Sequence, residues 1–191
     1  MTSTLPDADR PPSTAERILA GAAVVVADHG LRDSTVRHIL AAASLSRRTF
    51  YLHYPSIEGV MCDLYIHRMG ALIDAVVAAM ERTSGPQERI LAAVEALVDF
   101  QLDAGVLLIH LQTEAVRPGS MLSPVREQTL DRLVALLSVG RSVPPLRLRG
   151  LLMGVEGLLL YHCRDPAAAP IEMVRKEARL LVLNGIEEAA A

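Results

Sequence analysis

Apolar residues recur every three or four positions along most of the chain, a spacing that predicts about nine helices and no strand. Ser13 and Glu16 match the capping box Ser-x-x-Glu, and Ile18, Ala22 and Val26 continue one face until Gly30 ends the first helix. Asp33, Ser34 and Thr35 offer caps to a second helix, whose buried face is Val36, Ile39, Leu40 and Ala43. Ala43-Ser44-Leu45 reads as a tight turn, and Ser46 caps a short third helix to about His53. Pro55 breaks the chain, and a long fourth helix runs from Ser56 to about Arg82. Beyond Gly85-Pro86, a fifth helix carries Ile90, Val94 and Leu97, and a sixth covers about Val106 to Val116. The seventh opens at Ser123-Pro124, the eighth follows Pro144-Pro145, and the ninth runs from about Ile171 to Glu188. The expected architecture is all-α.

Composition narrows this picture. The 191 residues suffice for a small domain and a larger one. A hydrophobic fraction of 51% and a mean hydropathy of +0.30 require either a membrane span or a large buried interface. The most apolar stretch, Leu151 to Cys163, contains Glu156 and is flanked by Arg147, Arg149, Arg164 and Asp165. A span needs roughly 20 apolar residues, so burial between subunits is expected and a membrane is not. Residues 1–12 read as a flexible polar tail without the apolar core of a secretory signal. Cys62 and Cys163 suggest no disulfide framework, and a cytoplasmic location is expected. The net charge of −3 excludes a generally basic nucleic-acid coat. Locally, however, Ser34 to Ile57 contains no acid but holds Arg37, Arg47 and Arg48.

Short helices joined by a three-residue turn form a helix-turn-helix unit, here residues 34–53 within a domain spanning 13–57. Leu45, Phe50 and Tyr54 are expected to face inward with Ile39 and Leu40. Arg47, Arg48, Thr49, Tyr51 and His53 are left for duplex DNA. Arginine reads guanine edges bidentately, whereas tyrosine, threonine and histidine position phosphates.

The run from Ile18 to Val60 resembles the N-terminal domain of TetR-family regulators. The matching pieces are the apolar helix ending in Gly30, Thr35-Val36-x-x-Ile39, and Leu45-Ser46-x-x-Thr49-Phe50-Tyr51-x-His53-Tyr54 with Pro55 and Ser56. The resemblance implies DNA contacts from Thr35, Arg37, Ser46, Arg47, Thr49, Tyr51 and His53. Two positions depart from the family pattern. Ser44 stands where a turn glycine is usual, implying strain if φ is positive. Ile57 replaces a usual phosphate-binding lysine, implying weaker salt dependence.

Residues 58–191 are then expected to form the ligand-binding and dimerisation bundle. Helices eight and nine are the expected homodimer interface, with Gly154 and Gly157 allowing close approach. The expected small-molecule pocket draws polar Asp103, His110, Gln112, Glu114, Glu156 and His162. Its walls are Phe100, Leu107, Leu111, Met121 and Met153. Glu156 needs a partner, either within the pocket or as an arginine across the dimer. His110 and Glu114 share a helix face but read as a surface pair, and no metal or other cofactor is expected. No phosphate loop, nucleophile elbow or strong metal spacing points to an enzyme. The expected function is a repressor released from a palindromic operator by a small molecule. The alternative is a related interaction protein with weak or lost DNA binding.

Overall fold

The computed structural model describes residues 10–139 and 143–187. Most of the expected N-terminal tail, and Glu188 of the expected ninth helix, lie outside the described residues. Among those described, every regular element is an α-helix. In order they are α1 (Thr14–Asp33), α2 (Val36–Ala43), α3 (Arg47–His53), α4 (Ile57–Glu81), α5 (Pro86–Ala115), α6 (Ser123–Ser138), α7 (Pro145–Arg164) and α8 (Ile171–Glu187). The chain divides into two compact units, Met1–Leu64 and Tyr65–Ala191. No described helix is long and apolar enough to cross a membrane.

In the first unit, α1 begins with the expected capping box. Glu16 N–H donates to Ser13 Oγ at 3.2 Å, and the Ser13 amide donates to the Glu16 carboxylate at 2.5 Å. That backbone bond, then the Ser13 hydroxyl, lowers the Glu16 pKa. Gly30 breaks the helical dihedrals with φ 72°, and Ser34 Oγ donates to its carbonyl at 2.6 Å. Thr35 caps α2 by accepting from the His38 amide at 3.3 Å. Ile18, Val26, Ile39 and Phe50, all fully buried, form the core.

The corner between α2 and α3 fixes how α3 is presented. Ser44 adopts the left-handed conformation, φ 53° and ψ 51°. The Leu45 amide reaches back to the Leu40 carbonyl at 3.1 Å, the six-to-one bond of a Schellman closure. Arg17 of α1 then donates from Nη2 to the carbonyls of Ala43 (2.8 Å) and Ser44 (3.1 Å). These are helix-end acceptors that would otherwise need water.

In the second unit, one expectation is corrected. The predicted fifth and sixth helices form a single element, α5, bent at Gly105 (φ 56°, ψ −143°). Glycine tolerates that dihedral without the Cβ clash other residues meet, so the helix kinks there and continues. Among the described residues eight helices therefore stand where about nine were expected.

α7 and α8 pack closely and antiparallel. A Cβ on Gly154 would lie 2.7 Å from Leu181 Cδ2, and one on Gly185 would lie 2.5 Å from Leu151 Cδ2. Gly154 thus serves contact within the chain, whereas Gly157 faces open space. Arg175 ties α8 to α5 through Glu95 (2.6 Å) and Asp99 (2.5 Å). Arg149 ties α7 to α6 through Glu127 and Asp131. Such half-exposed pairs contribute little individually and mainly set register.

The left-handed serine generates a prediction. A non-glycine residue in that region is strained by roughly 1–2 kcal/mol. Glycine would relieve this but gain unfolded-state freedom worth about 0.4–1 kcal/mol. Ser44→Gly is therefore expected to raise unfolding free energy by up to about 1 kcal/mol in urea titration. Ser44→Val is expected to lower it. Stability lost on the glycine change would contradict strain at this corner.

Candidate functional site

α3 has two faces of different chemistry. Phe50 and Tyr54 are buried, with ring centroids 6.2 Å apart. Burial, then a hydrogen bond and charge from Asp63, push the Tyr54 pKa up to about 12. Arg47, Arg48, Tyr51, Leu52 and His53 are exposed around the rest of the helix surface, with Arg48 and Leu52 pointing most directly away from the core. The Arg47 guanidinium lies 5.8 Å from the Tyr51 ring centroid, within cation–π range. Tyr51 also meets Phe50 edge-on at 5.3 Å, which braces its ring from the core side.

The other expected DNA residues take up distinct places. Thr35 and Ser46 are exposed at the N-termini of α2 and α3, where both act as caps. Ser46 accepts from the Thr49 amide at 3.1 Å, and the two hydroxyls lie 2.8 Å apart. Arg37 is exposed on the first turn of α2. Among the described residues no acid forms an ion pair with Arg37, Arg47 or Arg48. Those guanidiniums are available to an external anion.

Sequence reading missed Arg17 and Leu52. Arg17 has no acid three or four residues away to pair with along α1, a signal that its charge is used elsewhere. Leu52 is 76% exposed on the outward face of α3, a position where a core role is excluded.

The second unit contains a cavity of about 60 Å³ bounded by α4, α5, α6 and α7. Phe100, Leu108, Leu133 and Leu152 give it apolar walls, among which stand Tyr65, Gln101, Gln112, Arg126, Thr129 and Glu156. Glu156 is paired within the chain: Arg126 donates to it from Nε at 3.3 Å and from Nη2. Burial alone would lower the Arg126 pKa, and the bonds to Glu156 outweigh it, so the net shift is upward. Tyr65 is 1% exposed, and burial followed by the Glu156 charge raises its pKa, keeping the phenol protonated. Gln101 Nε2 and Gln112 Oε1 are buried without a hydrogen-bond partner among the described residues. Burial raises the Cys163 thiol pKa, with the neighbouring Gln101 amide opposing.

Of the expected pocket residues, the cavity wall brings together Phe100, Gln112 and Glu156. Leu107 and Leu111 are buried in the core away from it. Asp103, Met121 and Met153 are exposed, and His110 is half-buried outside the wall. Glu114 pairs with Arg117 at 2.9 Å. His162 Nδ1 lies 2.7 Å from the Ala169 carbonyl and so braces the loop after α7.

The cause is helical phase. Gln101 falls seven residues after Val94, and Gln112 four after Leu108, in step with the apolar stripe. Asp103, His110 and Glu114 each fall two residues further on, over half a turn away. Arg126, which the sequence reading did not single out, is likewise in step with Leu130 and Leu133. No group of three or more metal-ligating side chains occurs among the described residues.

Residues 18–61 match the family model described as bacterial regulatory proteins, tetR family. A stretch of 114 residues is 31% identical to the HTH-type transcriptional repressor LfrR of Mycolicibacterium smegmatis. That match takes in 60% of this chain and 57% of the repressor, so the chain spans under two thirds of this curated relative. The fold is similar to the fatty acid degradation regulator FadR of Bacillus halodurans, with TM-score 0.74 and 20% identity over 88% of this chain and 97% of that one. It is also similar to FadR of Bacillus subtilis, solved with stearoyl-CoA: TM-score 0.75, 16% identity, 89% and 98% covered.

The ion pair on the cavity wall yields a stability test. Removing one member of a buried pair strands the other, at about 3–5 kcal/mol. Glu156→Ala is expected to lose about 3 kcal/mol in chemical denaturation, and Arg126→Met/Glu156→Met to lose much less. Equal losses in the two variants would contradict a buried, mutually dependent pair.

Proposed function

We propose, from the match of residues 18–61 to the tetR family of bacterial regulatory proteins, that this chain is a homodimeric repressor released from a palindromic operator by a small molecule. The observation that carries this reading is the outward face of α3. Arg47 and Arg48 stand exposed and adjacent in a stretch without acids, with no ion pair among the described residues, on a helix whose inner face is core. Duplex DNA offers such a face both charge and base edges. Thr35, Arg37, Ser46, Thr49, Tyr51 and His53 are the proposed positioning contacts. The helix-turn-helix corner forms with serine in the glycine position, which favours DNA binding over its loss. Ile57 contributes no cation at the start of α4, so the salt dependence is expected to be shallow for the family.

The proposed dimer uses α7 and α8. Leu146, Met153 and Tyr161 of α7 are exposed, and they lie on one face with Gly150 and Gly157, where a Cβ would meet nothing within 4 Å. Met173, Leu180 and Leu181 expose further apolar surface on α8. A two-fold packing of these helices would cover an area that is otherwise unfavourable in water. A protein with this fold was solved in complex with stearoyl-CoA, which supports a small-molecule effector, and the cavity of the second unit is the proposed place for it. α4 contributes Tyr65, Met69 and Leu72 to the cavity wall and is one helix from Ile57 to Glu81. Effector binding would act through it, and a coupling of about 1–3 kcal/mol suffices for control.

Two outcomes are expected. In fluorescence anisotropy with the intergenic DNA upstream of its own gene, Arg47→Ala/Arg48→Ala weakens binding by about thirtyfold or more. Equal binding by wild type and variant would refute the assignment of α3. By light scattering, Met153→Glu/Gly157→Glu converts a dimer into a helical monomer. A wild-type monomer, or a variant that remains dimeric, would refute the interface.

A further inference from the structure

The cavity in the second unit holds two kinds of polar group, and they differ in how they are satisfied. Arg126 and Glu156 close on each other. Arg126 Nη1 also reaches Glu127 at 3.2 Å, so its fork is occupied on both sides. Thr129 donates its hydroxyl to the Val125 carbonyl at 2.8 Å. By contrast Gln112, 9% exposed, leaves its amide oxygen without a partner among the described residues, and Gln101, 3% exposed, has only the weak sulfur acceptor of Cys163 beside its amide. Buried polar atoms are nearly always paired, and orphaned ones call for an explanation. Both amides lie on the wall of the cavity, where a ligand would reach them.

We propose that the effector is a small neutral molecule, mainly apolar, that accepts a hydrogen bond from Gln101 and donates one to Gln112, and that the closed Arg126–Glu156 pair rejects anions. This rests on reading the bundle as the effector-binding part. Arg126 is the cation on the cavity wall, and Glu156 already neutralises it. An incoming carboxylate would shed its hydration and then face Glu156 without a counter-charge of its own. A neutral ligand meets no such barrier and offers partners to the amides on the wall. The cavity is small, about 60 Å³. The ligand is therefore compact, or it drives the walls apart on entry.

The test is calorimetry on the whole protein without DNA. The probes are primary carboxamides of about four to eight carbons and carboxylates of matched length; a primary amide offers both donor and acceptor. The amides are expected to bind, with each matched carboxylate at least about tenfold weaker. Glu156→Gln frees the guanidinium and is expected to narrow or reverse that preference. Gln112→Leu keeps the test decisive if the Glu156 variant does not fold. It removes an orphaned polar atom, so melting temperature is expected to hold or rise while amide affinity falls about tenfold. Carboxylates binding as tightly as amides, no amide binding, or full affinity in Gln112→Leu would each overturn the proposal. Because DNA is absent, such a failure would leave the operator-binding reading standing. Failure of DNA binding would in turn leave this result intact.

Discussion

The corner at Ser44 is the constraint on which the first unit depends. α3 is only seven residues long and could not hold a helix by itself in water. It is fixed by the Schellman closure at Leu45, the Ser46 cap, the buried Phe50 and the clasp of Arg17 on two carbonyls. Because these act at the start and inner face of the helix, the arginine-bearing side has no structural task. It is left exposed to solvent, and that freedom allows a DNA-reading role.

The second unit depends on a different balance. Its charged pair is self-satisfied and sets the cavity's net charge to zero, whereas the nearby amides are left incomplete. A fully satisfied wall would make a stable but inert core; an unsatisfied one is stabilised by whatever completes it. In a close-packed interior a guest larger than the space present strains the helices that line it. That gives a physical route from occupancy to movement without any special pathway of residues.

Much of this was legible in the sequence because local rules and tertiary packing agree. The Ser13–Glu16 box, the Thr35 and Ser46 caps, and the Phe50–Tyr54 face follow from spacing alone. The break expected between the fifth and sixth helices misled because Gly105 kinks a helix that its neighbours continue. The pocket was legible only in part because charge drew attention to Asp103, His110 and Glu114, while phase selects Gln101, Gln112 and Arg126. Neutral amides on an apolar stripe are a quieter signal than a carboxylate. Gly154 resembles a subunit contact in sequence, yet its space is filled by Leu181 of the same chain. Sequence spacing alone does not say which helix comes close.

The most direct measurement for the central claim is a hydroxyl-radical footprint on the DNA upstream of the chain's own gene. Two outward α3 helices related by a two-fold axis predict two protected patches on one face of the duplex, about 34 Å apart or a multiple of that. A single patch, protection without that spacing, or no protection at low salt would contradict it.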